Sequence, residues 1–439
     1  MVKQVIFGIT LLITFGIFFY SAFRIIRFFS LTKPAFPVRN YGKRFLIMVD
    51  VAFGQTKIFR RPATGTFHAL VFWGFCVIIF GSIEMVIDGL TGMDKSLSGL
   101  GVVYDILMAS GDIFALLVGL SIIFFLIRRL FFHIPRFSGI EMKSISHIDA
   151  NVALTLILLL MISLQGMNVF YILLQTGTDQ PNKVWYPVSI VLSRLFPAGP
   201  LDHTDLFYEI FWWSHILLIF IFANVLPYSK HFHVFMSVPN VFLSRLEQLG
   251  KIPNMAQVTN EVKIMMDPGS APSGDTISEP LSRFGIRDIE DISWKNYFDA
   301  LACTECGRCT SVCPANITGK KLSPRKLLMD IRARMKEKGP RILKHGPGYT
   351  DNKSLLRDYI TEEELWACTL CNACAGECPV NINHPVIITD MRRYLVMEEG
   401  VAPGGIKSIY SNIENNGAPW QYSPEDRLLW ARELEINTE

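Results

Sequence analysis

The chain has 439 residues and a formal net charge of +3; half of its residues are apolar, 32 are Phe and only 18% are charged. A soluble domain carries about a quarter charged residues, so this composition excludes a wholly water-soluble protein. The charge is also divided unevenly, because residues 1–237 hold 18 of the 42 Lys and Arg and the shorter remainder holds 24. The first part reads as membrane and the second as soluble.

Five apolar stretches, at about 4–24, 66–88, 106–130, 150–174 and 207–229, predict transmembrane helices, since about 20 residues cross the hydrocarbon layer. The first, Val5 to Phe23, is followed by Arg24 and Arg27 rather than by a small-residue cleavage site, so a retained helix is expected and not a leader. Nine Lys and Arg against Asp50 mark the loop from Arg24 to Arg61. The next loop has Asp88, Asp94 and Asp105 against Lys95. The third has Arg128, Arg129, Arg136 and Lys143 against Glu141 and Asp149. The fourth has Lys183 and Arg194 against Asp179, Asp202, Asp205 and Glu209. This alternation predicts the N-terminus outside and the soluble half in the cytoplasm, at a prokaryotic inner membrane. Phe45 to Phe59, interrupted by Asp50 and Gln55, is expected to lie in the membrane interface. The expected organisation is a transmembrane domain over 1–237, a linker over 238–289 with a Pro/Gly/Ser-rich core at 267–280, a soluble domain over 290–400 and a tail over 401–439. Helix-like stretches are expected at 324–338 and 351–365. The fold class is therefore all-α, a five-helix membrane bundle followed by a helical soluble domain.

Eight of the nine cysteines lie between Cys303 and Cys378; Cys76, alone in an apolar run, reads as a buried apolar side chain. Cys303, Cys306, Cys309 and Cys313-Pro314 are followed by Cys368, Cys371, Cys374 and Cys378-Pro379. Both runs have the C-x2-C-x2-C-x3-C-P spacing of two-cluster ferredoxins. Three thiolates two residues apart let a tight loop wrap one cubane, and the fourth points at the other. The expected sets are Cys303, Cys306, Cys309 and Cys378 for cluster one, and Cys368, Cys371, Cys374 and Cys313 for cluster two. Two zinc sites are the alternative, but zinc ribbons use paired C-x2-C units. Thiolate ligation implies a reducing compartment. The long connection between the runs, Pro314 to Ala367, resembles the all-helical ferredoxin domain of succinate dehydrogenase and heterodisulfide reductase subunits, over roughly residues 290–400.

Histidine inside a lipid-spanning helix usually serves a function. His68 opens the second helix, His215 lies in the fifth, and His231 and His233 follow it. A bis-imidazole b-haem needs two His from different helices at one depth; His68 with His233 satisfies this, with His231 as the rival. His133, His147, His203, His345 and His384 carry no assigned role. The segments Phe67-His68, Trp212-Trp213-Ser214-His215 and Leu226-Pro227-Tyr228-Ser229-Lys230, with His215 and His233 eighteen apart, resemble the membrane cytochrome b subunit of respiratory nitrate reductase and its heterodisulfide reductase relatives. The resemblance implies His68 and His233 on a haem at the cytoplasmic side. It departs at Ile78, where the family has another His. His215 then lacks its partner, with Met85, Met161 or Met167 as substitutes or a core or quinone contact as the alternative. One haem b is expected and two are possible.

Lys320 to Lys344 holds ten Lys and Arg against Asp330 and Glu337, a surface for an acidic partner or anionic lipid, or else a solvated helix face. No aromatic pattern accompanies it, so nucleic acid is not an expected partner. The expected function is electron transfer between a cytoplasmic donor and the quinone pool (menaquinone or ubiquinone), as a subunit of a quinone-linked oxidoreductase. The alternative is a non-enzymatic membrane anchor and relay of a heterodisulfide reductase-like complex. No Cys follows Cys378, so either the paired Cys-Cys-Gly modules of such relatives lie on a separate polypeptide, the favoured expectation, or the chain accepts electrons directly from a flavoprotein. The expected partner is a separate cytoplasmic iron–sulfur or flavoprotein subunit.

Overall fold

A computed structural model of the protein describes residues 1–175, 185–196, 203–267 and 283–431. Asp179, Lys183 and Asp202 of the fourth loop, and all of the 267–280 segment beyond Asp267, lie outside the described residues. The membrane half comprises α1 (Val2–Arg27), α2 (Tyr41–Met48), α3 (Pro62–Thr91), α4 (Val102–Phe131), α5 (Ser144–Gln175), α6 (Pro187–Ser193) and α7 (Thr204–Val225). It is followed by α8 (His233–Phe242) and α9 (Ala256–Met266). Among the described residues five helical segments are long and apolar enough to cross a membrane: Val2–Leu31, Pro62–Thr91, Val102–Phe131, Ser144–Gln175 and Thr204–Tyr228. The soluble half comprises α10 (Trp294–Ala302), α11 (Arg308–Ser311), α12 (Pro314–Ile317), α13 (Pro324–His345), α14 (Glu362–Trp366), α15 (Ala373–Glu377), α16 (His384–Arg393) and α17 (Gly404–Asn416). Among the described residues the fold is all-α, with two isolated bridges and no sheet.

Apolar helices in lipid gain nothing from hiding apolar surface, so packing depends on close approach. Gly89 of α3 lets the buried Phe7 ring of α1 come so near that a Cβ would sit 2.7 Å from it, and Phe7 lies 5.7 Å from the Trp212 ring of α7. Buried acids tie the bundle at the end far from the soluble half. Glu84 accepts from the Leu97 amide at 3.1 Å and the Tyr104 hydroxyl at 3.0 Å. Asp112 accepts from the first amides of α6, Val188 at 2.8 Å and Ser189 at 3.0 Å. Carboxylates so bonded, at a helix N-terminus or on loop amides, are satisfied where water is scarce.

The soluble half sits on the other end, which we call the docking end. Its core gathers Ile286, Ile289 and Ile292 with Leu327, Leu328, Ile331 and Met391, and draws in Phe28 from the end of the first span and Phe232 from the turn before α8. α10 starts where the Ser293 hydroxyl accepts from the Asn296 amide, and α14 starts in a capping box between Thr361 and Glu364. The interfacial stretch becomes α2 and a π turn whose Val51 and Ala52 pack on Val241 of α8. Cys76 is half-buried rather than enclosed.

Two expectations for the soluble half are corrected. The stretch 351–365 is not one helix. Leu356 is extended and Arg357 has φ +77°, so a kinked π turn precedes α14. The Lys320–Lys344 run is only in part a solvated face: Lys320, Lys321, Lys336, Arg341 and Lys344 are exposed, but its other cations turn inward. Arg325 and Arg334 are fully buried, and both are paired inside the fold. Arg334 bonds Asp288 at 2.8 Å and Asp351 at 2.7 Å, and Lys338 bonds Asp288 at 2.8 Å. Arg325 reaches into the loop between α4 and α5, where it bonds Glu141 at 2.6 Å, the Arg136 carbonyl at 2.7 Å and the Ser138 carbonyl at 3.0 Å. The guanidinium holds Glu141 below the usual carboxylate range, together with the Ser323 hydroxyl and against its own burial. Removing one partner of such a pair strands a buried charge. Arg325→Ala is therefore expected to destabilise the docked soluble half by about 3–5 kcal/mol, read as a lower thermal midpoint of the full chain in detergent.

Candidate functional site: two cysteine loops over the bundle

The two cysteine loops share one backbone course. The second residue after the first Cys has positive φ in each, Glu305 at +58° and Leu370 at +54°. The fourth does too, Gly307 at +71° and Asn372 at +61°. Gly307 and Asn372 are the N-caps of α11 and α15. Such turns aim successive amides at one point, which suits an anionic sulfur. The Leu370 amide indeed donates to the Cys368 thiol at 3.4 Å. Amides of Glu305 and Val380 serve Cys303 and Cys378 in the same way. Glycine and asparagine tolerate left-handed φ, whereas Glu305 and Leu370 are held there by their surroundings.

The fold brings α11 and α15 together and so joins the loops. Cys313, Cys368, Cys371 and Cys374 rim one cavity, closed by Leu322, Pro385 and Ile388. Cys303, Cys306, Cys309 and Cys378 form the other neighbourhood, in which charge on any thiol opposes ionisation of Cys309. Burial pushes Cys303 up to about 11, and Cys374 and Cys378 up to about 12. These are thiols until a metal displaces their protons. The donor set, the amide turns and the shared cavity fit iron–sulfur clusters. Cys371 is exposed, while Cys303, Cys309, Cys313, Cys374 and Cys378 are buried.

The first neighbourhood faces the bundle. Lys57 donates to the Cys378 carbonyl at 3.2 Å, and Arg60 donates to that of Gly376 at 2.7 Å. In return Arg308, between Cys306 and Cys309, donates to the carbonyls of Lys57 at 2.8 Å and Ile58 at 3.2 Å. Arg332 donates to the Cys303 carbonyl at 3.1 Å and pairs with Glu305, which also meets Lys230 after α7 at 3.4 Å. Asn240 of α8 donates to the Val380 carbonyl at 2.9 Å. Sequence reasoning missed these cations. Their side chains act on backbone carbonyls, which no motif records.

The four candidate histidines divide between two depths. His68 and His233 are half-buried at the docking end, within Coulombic reach of each other and of Arg308. Gln55 gives its amide N–H to the Ala52 carbonyl, so its oxygen, 3.2 Å from His68 Nδ1, accepts from that nitrogen. His233 Nδ1 donates to the Lys230 carbonyl at 3.2 Å. Both rings thus keep a bare Nε2, the state a metal requires. Burial lowers His233 and takes His231 down to about 3, so both rings are neutral. The His231 ring lies 5.8 Å from that of His233, and its Nδ1 meets the Ser229 hydroxyl at 3.0 Å. These residues fit a bis-imidazole haem. His215 is buried deeper, with Nδ1 on the Leu160 carbonyl at 3.0 Å. It lines a narrow cavity with Ile78, Met85 and Met167, whereas Met161 packs elsewhere.

The family described as "4Fe-4S dicluster domain" matches residues 302–382. The chain is 30% identical to "Probable iron-sulfur-binding oxidoreductase FadF" of Bacillus subtilis, over 91% of this chain and 56% of that protein. It is 26% identical to "EtfAB:quinone oxidoreductase" of Syntrophomonas wolfei, over 87% of this chain and 53% of that protein. Over 35% of the chain it is 35% identical to "Probable membrane-anchored ferredoxin" of Chromohalobacter salexigens, covering 25% of that protein. The chain thus spans about half the length of the first two relatives. No solved structure matches it. With five candidate spans and a dicluster domain for two [4Fe–4S] clusters, the chain is a multi-pass, membrane-anchored iron–sulfur electron-transfer protein.

A Cβ at Gly307 would lie 2.3 Å from the Arg136 carbonyl, on a backbone with φ +71°. Gly307→Ala is expected to cost about 1–3 kcal/mol in backbone strain and to lower the iron content, measured per chain after purification.

Proposed function

We propose that the chain carries electrons between a soluble redox partner and the quinone pool, through two [4Fe–4S] clusters and one b-type haem. Cluster two would take Cys313, Cys368, Cys371 and Cys374, and cluster one Cys303, Cys306, Cys309 and Cys378. His68 and His233 would ligate the haem. The observation that carries this reading is the order of the three sites. The exposed Cys371 marks the outer end, cluster-one thiols lie beyond it, and Arg308 touches both the cluster-one loop and the segment before His68.

When bound, these groups supply one-electron chemistry; the residues of the chain hold them in line and set their potentials through charge, amide bonding and burial. Arg308, Arg332 and Lys57 place positive charge beside cluster one, which favours its reduced state. Cys371 opens cluster two to a partner. His68 on α3 and His233 at the start of α8 would hold the haem through their bare Nε2 atoms.

The quinone is proposed because a membrane b-haem couples one-electron carriers to a lipid-soluble two-electron pool, and because one relative is named as a quinone oxidoreductase. That relative's name also makes an electron-transferring flavoprotein the favoured soluble partner. The alternation of loop charge supports a cytoplasmic docking end. Turnover of a quinol analogue by the full chain tests the oxidoreductase reading; absent turnover with all cofactors retained favours a relay within a larger complex.

Metal analysis should find about eight non-haem irons per chain, with matching acid-labile sulfide and one haem; zinc in their place overturns the cluster assignment. Cys371→Ser should bring iron to about four per chain while sparing the haem. His68→Ala should abolish the b-haem absorbance and leave the iron count unchanged; undiminished absorbance would show that His68 is not a ligand.

A further inference from the structure

Four arginines converge where the soluble half meets the bundle. Arg61 is the N-cap of α3, Arg128 lies in the last turn of α4, Arg136 lies in the turn that follows, and Arg308 opens α11. Backbone contacts force them together. Arg325 donates to the Arg136 carbonyl at 2.7 Å, and Gly307, next to Arg308, leaves room for that same carbonyl. Arg308 is fastened to the carbonyls of Lys57 and Ile58, just before Arg61. Phe67 of α3 stacks on Phe124 of α4 with centroids 4.2 Å apart, so Arg128 lies one helical turn from the level of His68.

Apart from the adjoining cysteine loop, which acts on Arg136 through Cys306 and on Arg308 through Cys306 and Cys378, counter-charge is scarce there. Arg61 reaches Glu377 at 3.5 Å. Among the described residues Arg128, Arg136 and Arg308 have no ion-pair partner within 4.0 Å. Nε and Nη1 of Arg136 are buried and lack any hydrogen-bond acceptor. Burial, together with the charges of Arg61, Arg128 and Arg308, lowers Arg136 to about 10 against the opposing pull of Cys306. A guanidinium with buried, unfilled donors among like charges calls for an anion.

We propose that this arginine cluster receives the propionate carboxylates of the haem held between His68 and His233. The inference rests on the haem reading above. A guanidinium fork matches a carboxylate in two parallel hydrogen bonds. A haem carries two propionates at one edge, and a haem between His68 and His233 lies within reach of Arg308. A lipid phosphate shares this chemistry, but the open donors of Arg136 are buried. The bound charge has a consequence: positive groups at the propionates favour the reduced haem, so the cluster raises the haem potential and draws electrons toward the membrane.

The test uses the full chain in detergent, as Arg128→Gln, Arg136→Gln, Arg136→Lys and the exposed control Arg27→Gln. Haem per chain, haem midpoint potential, non-haem iron and bound phospholipid by native mass spectrometry are measured for each. The expected result is a lower midpoint and faster haem loss, by about tenfold, in Arg128→Gln and Arg136→Gln. Iron should be unchanged in both, Arg136→Lys should recover part of the effect, and Arg27→Gln should match wild type. If Arg136→Gln also loses iron, Arg128→Gln, which leaves the Arg325 contact intact, decides alone. Unchanged haem content and midpoint in Arg128→Gln and Arg136→Gln, in a wild type that carries haem, overturns the proposal. Loss of a phospholipid with haem unaltered assigns the site to a headgroup and also overturns it. A wild type without haem fails the haem reading itself, and this inference with it.

Discussion

The insertion of Arg325 into the loop between α4 and α5 is the contact on which the rest of the arrangement depends. Its guanidinium is fully enclosed and spends its donors on Glu141 and on the carbonyls of Arg136 and Ser138. Ion pairs of this kind contribute little net stability, because desolvation offsets attraction. Their effect is on geometry: a buried cation with several fixed acceptors tolerates one placement and penalises the others. Here that placement sets Gly307 against Arg136, and with it the cluster-one loop against the end of α3. The same device recurs with Arg308 on Lys57 and Ile58, and with Lys57 on Cys378. Reciprocal clamps from opposite sides leave the loop little freedom to slide.

Charge placement follows from the same contacts. Cations that secure the first cysteine loop also lie beside its thiols, and at the second loop Arg392 is placed to act on Cys368. The side chains that dock the loop are thus the ones that place positive charge beside its thiols. Exposure differs between the sites as well, since only cluster two presents an exposed thiol, Cys371. The far end of the bundle has a different character. Glu84 and Asp112 are buried acids in lipid-spanning helices, a placement that ordinarily marks function. Their acceptors are filled by loop amides and hydroxyls, which accounts for their presence as structural ties.

The helix Pro324–His345 shows where reasoning along the chain goes astray. Its cations recur with a spacing that suits a wet face, and its own acids are few. The partners that bury them, Glu141, Asp288 and Asp351, come from segments far away or across a turn. The kink at Arg357 was equally hidden, because no residue type there favours left-handed backbone; Arg357 pairs with Glu362 and Glu399 across that turn. Gln55 was visible as an interruption in an apolar stretch, yet its role toward His68 needed the two segments to meet.

Some features were decided by the sequence alone. Lipid-spanning stretches follow from transfer free energies that add residue by residue, so five apolar runs sufficed to place five spans. Ligation of a cubane demands thiols at set intervals, so the Cys-x2-Cys-x2-Cys-x3-Cys-Pro repeat carried its own chemistry. Tertiary structure alone decided which nitrogen of each histidine stays bare and where the basic helix sends its charge. These depend on distant groups meeting in a medium of low dielectric, where an unpaired charge or donor is costly. No local pattern encodes that pairing, because its energy belongs to the contact and not to either residue.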